Sequence, residues 1–171
     1  MILVNKKVYL TCAPPAAGKT SFITKNLQNF KNSIWISRDE IRFSLLKNDE
    51  DYFSHEKEVF NSFIKEINIA LEDPEIENIF IDATHLNKKS RNKTLSQLKK
   101  ELITELNCIV FTTPLKECLI RNSKRQGRTQ VPSDVIIDMF KHFTYPSKDE
   151  NFDKIWIVNE NGEIDEIKER R

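Results

Sequence analysis

Residues 8–21, VYLTCAPPAAGKTS, decide the predicted fold of this 171-residue chain. The stretch opens with an apolar run typical of a buried strand, passes through small residues and prolines, and ends in Gly18-Lys19-Thr20 before a helix. A Gly-Lys-Thr tripeptide alone would mean little, but this order is typical of a phosphate-binding (Walker A) loop. Backbone N–H groups and a helix N-terminus surround a phosphate in such a loop, so its side chains must be small.

The loop assigns a role to each of its last residues. Lys19 would reach the β- and γ-phosphates of ATP, and the Thr20 hydroxyl would ligate Mg²⁺. We therefore predict ATP and Mg²⁺ as cofactors, bound by Pro15, Ala16, Ala17, Gly18, Lys19, Thr20 and Ser21. Ala13 and Ala16 stand where such loops often have glycine. Because alanine does not adopt positive φ cheaply, we expect negative φ at both positions.

Composition predicts one globular domain spanning residues 1–171. Hydrophobic residues make up 39% and charged residues 31% of the chain, and no apolar run approaches the length of a membrane span. The three cysteines, Cys12, Cys108 and Cys118, have no metal-ligand spacing. They are expected to be reduced core thiols of a cytoplasmic protein.

Charge is distributed unevenly along the chain. Residues 49–78 hold ten acidic and two basic residues, whereas residues 84–131 hold eleven basic and three acidic ones. The acidic stretch is interpreted as a solvated face. The basic stretch is predicted to border the nucleotide site, as a polyanionic ligand requires.

Strand and helix patterns alternate along the chain. Strands are predicted at residues 6–12, 33–36, 78–82, 107–112 and 152–158, and helices at 19–30, 38–46, 54–72, 88–103, 114–124 and from 132 onward; the charged tail from residue 159 is expected to be surface. This alternation predicts an α/β fold, with a parallel sheet of four to five strands covered on both faces. Ligands in such sheets bind at the carboxyl ends of the strands.

Several residues at those ends could carry chemistry. Asp39 lies in the first turn of a helix after the second strand, where a carboxylate could accept the proton of an alcohol during phosphoryl transfer. An acid there could equally serve the helix dipole. Arg38 and Arg42 could pair with Asp39, face an acceptor phosphate, or form surface ion pairs. Asp82 could hold a Mg²⁺-bound water, orient an arginine or cap a turn, and His85 is interpreted as a polar turn residue.

The densest basic cluster lies between two predicted helices and comprises Arg121, Lys124, Arg125 and Arg128. Arginines on a mobile flap can neutralise a transferring phosphoryl group and exclude water. Basic residues at a helix end are also favourable for the dipole alone. Both interpretations stay open on the sequence pattern.

Four segments make the chain resemble the phage-type polynucleotide 5′-hydroxyl kinases, within the small P-loop kinases. They are APPAAGKTS (13–21), WISRDEIRFSLL (35–46), IDATHLN (81–87) and CLIRNSKRQGRTQVPSDVIIDMFKHF (118–143). The resemblance implies a P-loop kinase fold with a helical lid at about residues 114–145. It also implies ATP-dependent transfer to 5′-hydroxyl ends of DNA or RNA, and the host cytoplasm as location if a phage encodes the chain. No membrane partner is expected, because no apolar run approaches the length of a membrane span.

The same resemblance implies roles around the acceptor. Asp39 resembles the general base that activates the 5′-hydroxyl. Arg42 resembles the arginine that docks the acceptor's 3′-phosphate, helped by Thr84. Arg38 and Asp82 resemble a supporting pair beside the base.

Further roles are implied for the lid. Arg125 resembles the lid arginine on the phosphates of ATP, completing a catalytic set with Asp39 and Lys19, and Arg121 lies nearby. Val131 and Val135 resemble apolar contacts to the terminal base. The family's usual glycines are replaced in the phosphate loop, one residue is added before the lid glycine, and no phosphatase motif DxDGT is present.

Two other functions remain open on the sequence. One is a P-loop kinase that acts on a hydroxymethylated base within DNA or on a small-molecule alcohol. The other is a nucleotide-dependent nucleic-acid-binding protein without transfer activity. The sequence does not indicate the oligomeric state.

Overall fold

The computed structural model describes residues 4–170, which form one sheet flanked by helices. The strands are β1 (Lys7–Cys12), β2 (Ser33–Ser37), β3 (Asn78–Asp82), β4 (Glu105–Phe111), β5 (Lys154–Val158) and β6 (Ile164–Glu169). The helices are α1 (Lys19–Asn26), α2 (Arg38–Leu45), α3 (Glu56–Glu72), α4 (Lys88–Leu95), α5 (Leu115–Ser123) and α6 (Ser133–Lys141). Short 3₁₀ turns lie at Leu27–Asn29, Lys100–Leu102, Gly127–Thr129 and Lys148–Glu150.

The strand order of the sheet is β2-β3-β1-β4-β5-β6. The first five strands are parallel, as predicted, and β6 runs antiparallel to β5. β1 lies between β3 and β4, so the chain winds in opposite directions on its two sides. Crevices form at such reversal points, outside the carboxyl ends of the strands. The phosphate loop, which follows β1, lies at this point.

Apolar side chains of alternate strand residues fill two layers. On one face Val8 and Leu10 pack with Phe63 and Ile67 of α3, and on the other Tyr9 packs with Phe22 and other residues of the α1, α5 and α6 side. Parallel strands buried on both faces explain the continuous apolar runs of the sequence. The three cysteines are buried free thiols. Within residues 4–170, no helix has the length and apolar character needed to cross a bilayer.

Two elements differ from the sequence expectations. The tail lies on the surface as expected, since every residue of β6 is exposed, but it also forms this strand, which was not predicted and pairs with β5 through the backbone. Helix α4 ends at Leu95 instead of continuing to residue 103. Asn68 of α3 explains this, because its side chain bonds the carbonyl oxygen of Gln97 (3.1 Å) and the N–H of Lys99 (3.0 Å). A side chain from another helix thus takes up backbone groups that a longer α4 would have used.

Candidate active site

The phosphate loop joins β1 to α1 and contains two residues in the left-handed region. Gly18 has φ of 102° and Ala16 has φ of 62°, whereas Ala13 does not have positive φ. The prediction of negative φ was therefore wrong at Ala16. The physical reason is that a left-handed residue in a tight turn lets successive N–H groups face one side, as a backbone concavity for an anion requires. The need for this concavity outweighs the modest strain of a left-handed alanine.

Lys19 is the first residue of α1 and turns back over the loop. Its Nζ donates to the carbonyl oxygens of Ala13 (3.2 Å) and Pro14 (2.8 Å). Burial lowers the pKa of Lys19 below its ordinary value. The Asp82 and Asp39 carboxylates act in the opposite direction, and Arg125 lowers this pKa further. The ammonium group thus lies within the fields of the predicted base and the predicted lid arginine.

The Thr20 hydroxyl faces the end of β3. Its Oγ1 donates to Asp82 Oδ2 (2.8 Å). This carboxylate oxygen also accepts from Trp35 Nε1 (3.0 Å). A hydroxyl and a carboxylate are hard oxygen ligands of the kind that Mg²⁺ prefers. The donor set therefore fits a magnesium ion at this edge of the sheet. Within residues 4–170 no ion pair joins Asp82 to Arg38, which pairs with Glu56 (3.1 Å). The role of Arg38 and Asp82 as a supporting pair beside the base stays a prediction.

Asp39 lies in the first turn of α2, directly after β2. The Ser37 side chain caps this helix by accepting from the N–H of Glu40 (3.3 Å), as its sequence position indicates. Because β2 and β3 are parallel neighbours, with Ser37 paired to Asp82, Asp39 follows β2 at the same edge as Asp82. The Asp39 side chain is 57% exposed, which leaves room for an incoming group.

Arg42 is the partner of Asp39 and is almost inaccessible, with 6% of its side chain exposed. It bonds Asp39 Oδ1, and its Nη2 lies 2.6 Å from Oε1 of Glu56. Tyr52 also donates to Asp39 Oδ1 (2.5 Å). Sequence analysis missed Tyr52 and Glu56, because they belong to no motif and lie in the acidic stretch that was interpreted as a solvated face. The packing of α3 against α2 brings Glu56 here, and the segment that joins these two helices brings Tyr52.

The predicted lid segment comprises α5, the turn Gly127–Thr129 and α6. Arg121 reaches the phosphate loop: a Cβ added to Gly18 would lie 3.4 Å from its Nη1. Arg125 is exposed and Arg128 donates to the carbonyl oxygen of Lys47 (3.2 Å), beyond the end of α2. The basic cluster therefore spans the carboxyl edge of the sheet from the phosphate loop to α2.

A cleft of about 390 Å³ adjoins the phosphate loop. Its lining includes Gly18, Phe22, Arg121, Arg125 and residues 159–162. The last four residues are the turn between β5 and β6, and the carbonyl oxygen of one of them, Glu160, accepts from Arg121. This volume suits the base and sugar of a nucleotide. The turn was missed because the tail was interpreted as plain surface.

The other predicted residues are placed as follows. The Thr84 carbonyl oxygen accepts from the N–H of Ala13 (2.8 Å), so the turn after β3 supports the phosphate loop through its backbone. The backbone of Val131 bonds the side chain of Asn122, and both Val131 and Val135 are half-buried in the lid. His85 is buried and serves the fold, as discussed below.

One protein-family model matches this chain. The AAA_33 model, described as an AAA domain, matches residues 8–146, which include the phosphate loop, α2 and the lid. The chain belongs to this AAA domain family. Together with the mostly parallel sheet and the phosphate loop after β1, this match confirms the predicted P-loop kinase fold class.

Solved structures share the fold at low sequence identity. A fungal RNA kinase has a TM-score of 0.63 and 15% identity, covering 92% of this chain and 76% of that one. A chain of the Pnkp1/Rnl/Hen1 RNA repair complex has a TM-score of 0.68 and 19% identity, covering 88% and 47%. A sugar kinase from Janibacter sp. HTCC2649 has a TM-score of 0.59 and 14% identity, covering 92% and 86%. The chain thus spans about half the length of the RNA repair chain.

Proposed function

We propose that this protein is an ATP- and Mg²⁺-dependent kinase of the polynucleotide type, which transfers the γ-phosphate of ATP to the 5′-hydroxyl end of DNA or RNA. The observation that carries the proposal is the position of Asp39. Its carboxylate is exposed at the carboxyl edge of the sheet that also holds Lys19, and one of its oxygens is fixed by Arg42 and Tyr52. A fixed, accessible carboxylate beside a phosphate loop is the arrangement that an alcohol acceptor requires.

Different residues of the chain would bind the phosphates, accept the proton and hold the metal ion during the transfer. Loop N–H groups, Lys19 and the lid residues Arg121 and Arg125 bind the triphosphate and stabilise the charge of the transferring phosphoryl group. Asp39 accepts the proton of the 5′-hydroxyl while the hydroxyl oxygen forms its bond to the γ-phosphorus. The bond from that phosphorus to ADP breaks, and ADP leaves. Thr20, with Asp82 behind it, would hold Mg²⁺, which neutralises phosphate charge when bound.

A nucleic-acid acceptor is supported by charge and by resemblance. The basic stretch of residues 84–131 includes α5 and the Gly127–Thr129 turn, whose arginines reach from the phosphate loop (Arg121) to the end of α2 (Arg128). Four segments resemble the phage-type polynucleotide kinases, and two of the structures with this fold are an RNA kinase and a chain of an RNA repair complex. The product would be a 5′-phosphate ready for ligation.

One observation favours a second candidate, a kinase for a small-molecule alcohol or for a hydroxymethyl group on a base. Arg42, the expected ligand of the acceptor's 3′-phosphate, is nearly inaccessible and is neutralised by Asp39 and Glu56. A phosphate would have to displace one of these carboxylates to reach it. An acceptor without a neighbouring phosphate avoids that cost, and one structure with this fold is a sugar kinase.

An acceptor panel with radiolabelled ATP tests the proposal. The panel contains 5′-hydroxyl DNA and RNA oligonucleotides, DNA with hydroxymethylated bases, free nucleosides and sugars. We expect label at the 5′ ends, and its loss with Lys19→Ala and with Asp39→Ala. Glu40→Ala is the matched control, because Glu40 is an exposed acid in the same helical turn and shares only the dipole effect.

Each outcome of the panel decides between the candidates. Label at an internal base or on a small alcohol, with none at 5′ ends, would establish the second candidate. Binding of ATP and oligonucleotide without transfer to any acceptor would contradict both and support a binding protein. Equal losses in Asp39→Ala and Glu40→Ala would reduce Asp39 to a helix-stabilising acid.

A further inference from the structure

The Tyr52 side chain lies in the segment between α2 and α3 and joins the two charged groups of the acceptor site. Its hydroxyl donates to Asp39 Oδ1 (2.5 Å) and accepts from Arg42 Nη1 (2.7 Å). Arg42 Nη1 also bonds the same Asp39 oxygen. One phenol, one guanidinium and one carboxylate oxygen thus form a closed ring of hydrogen bonds.

Both donors use the same oxygen of Asp39. Among the described residues 4–170, no donor lies within hydrogen-bond distance of Oδ2. A carboxylate oxygen that keeps its lone pairs free can accept a proton from an incoming hydroxyl. The ring of hydrogen bonds therefore leaves one oxygen of Asp39 occupied and the other available.

The Tyr52 ring is itself fixed from several sides. The Arg42 guanidinium lies 4.2 Å from its centroid, and the rings of Phe43 and Phe53 meet it edge-on at 6.0 Å and 4.7 Å. Burial raises the pKa of Tyr52, and the Asp39 carboxylate raises it further, so the phenol keeps its proton and stays a donor. A rigid ring with a permanent donor restricts the rotamers of the side chain that it bonds.

We propose that Tyr52 is a positioning residue of the transfer reaction, which holds the Asp39 carboxylate so that Oδ2 faces the acceptor hydroxyl. This inference rests on the proposed function, in which Asp39 is the general base. The tyrosine hydroxyl acts through Asp39 and does not touch ATP or the acceptor. Its loss should therefore slow the chemical step and leave the binding of both substrates unchanged.

The test is Tyr52→Phe, which removes one oxygen and keeps the ring over Arg42. We expect kcat for the accepted alcohol to fall roughly ten- to hundredfold, the rate equivalent of one hydrogen bond to a charged group. KM for ATP, KM for the acceptor and the thermal midpoint should stay unchanged. Tyr145→Phe is the matched control, because it removes the same oxygen from a tyrosine that is 42% exposed.

A double variant tests whether Tyr52 acts through its partner. Adding Tyr52→Phe to Asp39→Asn should cause no further loss of the residual single-turnover rate, because the carboxylate that Tyr52 positions is already gone. Independent, multiplying losses would overturn the proposal. So would an unchanged kcat in Tyr52→Phe, a rise in KM alone, or phosphate found on Tyr52 by mass spectrometry, which would make its hydroxyl an acceptor.

Failure of the proposed function gives a different result. If the wild-type protein phosphorylates another alcohol of the panel, the polynucleotide assignment falls and the same comparison is made with that alcohol. If it phosphorylates none, the general base and its positioning residue are both overturned. If the wild-type protein labels 5′ ends and Tyr52→Phe does so equally well, only the role of Tyr52 is overturned.

Discussion

His85 shows how a titratable side chain next to the nucleotide site can serve the fold alone. Its two ring nitrogens bond the carbonyl oxygen of Thr11 and the hydroxyl of Thr94, each at 3.0 Å. Burial lowers its pKa to about 3, with the nearby cations Arg38 and Arg91 acting in the same direction. A histidine held neutral and bonded on both sides has no free nitrogen for acid–base chemistry, which agrees with its interpretation as a polar turn residue.

The lowered pKa of His85 predicts an acid-sensitive fold. The unfolded chain binds a proton near the ordinary value of 6.5 and the folded chain only near 3, so the stabilisation is complete above pH 6.5 and is lost as the pH falls toward 3. The free energy of unfolding should fall by about 1.4 kcal/mol per pH unit in this window on account of His85. Urea unfolding at about pH 7 and about pH 5 measures the loss.

His85→Asn should remove this part of the pH dependence, since asparagine tolerates the positive φ of 43° found at this position. His142→Asn is the control, because His142 is exposed on the lid and its replacement should leave the loss unchanged. If wild-type protein and His85→Asn lose the same free energy between the two pH values, the attribution to His85 is wrong.

At the scale of elements, the phosphate loop contains two alanines that differ in backbone conformation. Ala16 is left-handed, whereas Ala13 is fully buried and is not in that region. The lid meets this loop from one side through Arg121 and meets α2 from the other through Arg128, whose guanidinium lies 5.6 Å from the Phe43 ring. The elements that would bind donor and acceptor are thus already in contact.

Glycine substitutions should separate the two alanines. Ala16→Gly relieves a strained conformation, which offsets the entropy that glycine adds to the unfolded chain, so stability should stay equal or rise by up to about 1 kcal/mol. Ala13→Gly gains no such relief and should lower the free energy of unfolding by about 1 kcal/mol. Urea unfolding of the two variants makes the comparison. A larger loss in Ala16→Gly than in Ala13→Gly would contradict the strain argument.

At the scale of the molecule, Arg91 of α4 forms hydrogen bonds with residues that are far apart in the chain. Its side chain is fully buried, and its Nε donates to Glu150 Oε1 (2.6 Å). It also bonds the carbonyl oxygens of His85 and Thr144 and the thiol of Cys12. Burial alone would raise the pKa of Glu150, but Arg91 and Ser147 hold it below its ordinary value, so the pair stays ionised.

Breaking this buried pair should destabilise the whole fold. Glu150→Gln leaves the Arg91 charge without its counterion, and we expect the free energy of unfolding to fall by about 3 kcal/mol. Asp149→Asn is the matched control, because the neighbouring pair of Asp149 with Lys88 is exposed and its loss should not be measurable. Similar losses in both variants, measured by urea unfolding, would show that Arg91 does not need Glu150.

The sequence by itself determined the features that are local in the chain. The phosphate loop with its strand and helix, the cap at Ser37, the strand at 78–82 and the α/β class all follow from residue order, because caps, turns and burial periodicity act over a few residues. The comparisons confirmed the class of fold and left the site roles as proposals.

Only the tertiary structure decided which side chains meet around Asp39. Tyr52 and Glu56 reach Asp39 and Arg42, Arg38 pairs with Glu56, and a sixth strand provides the turn that lines the cleft beside the phosphate loop. The left-handed Ala16 also belongs here. Each depends on groups far apart in sequence competing for the same partners, and the outcome of that competition is fixed by packing geometry and not by local pattern.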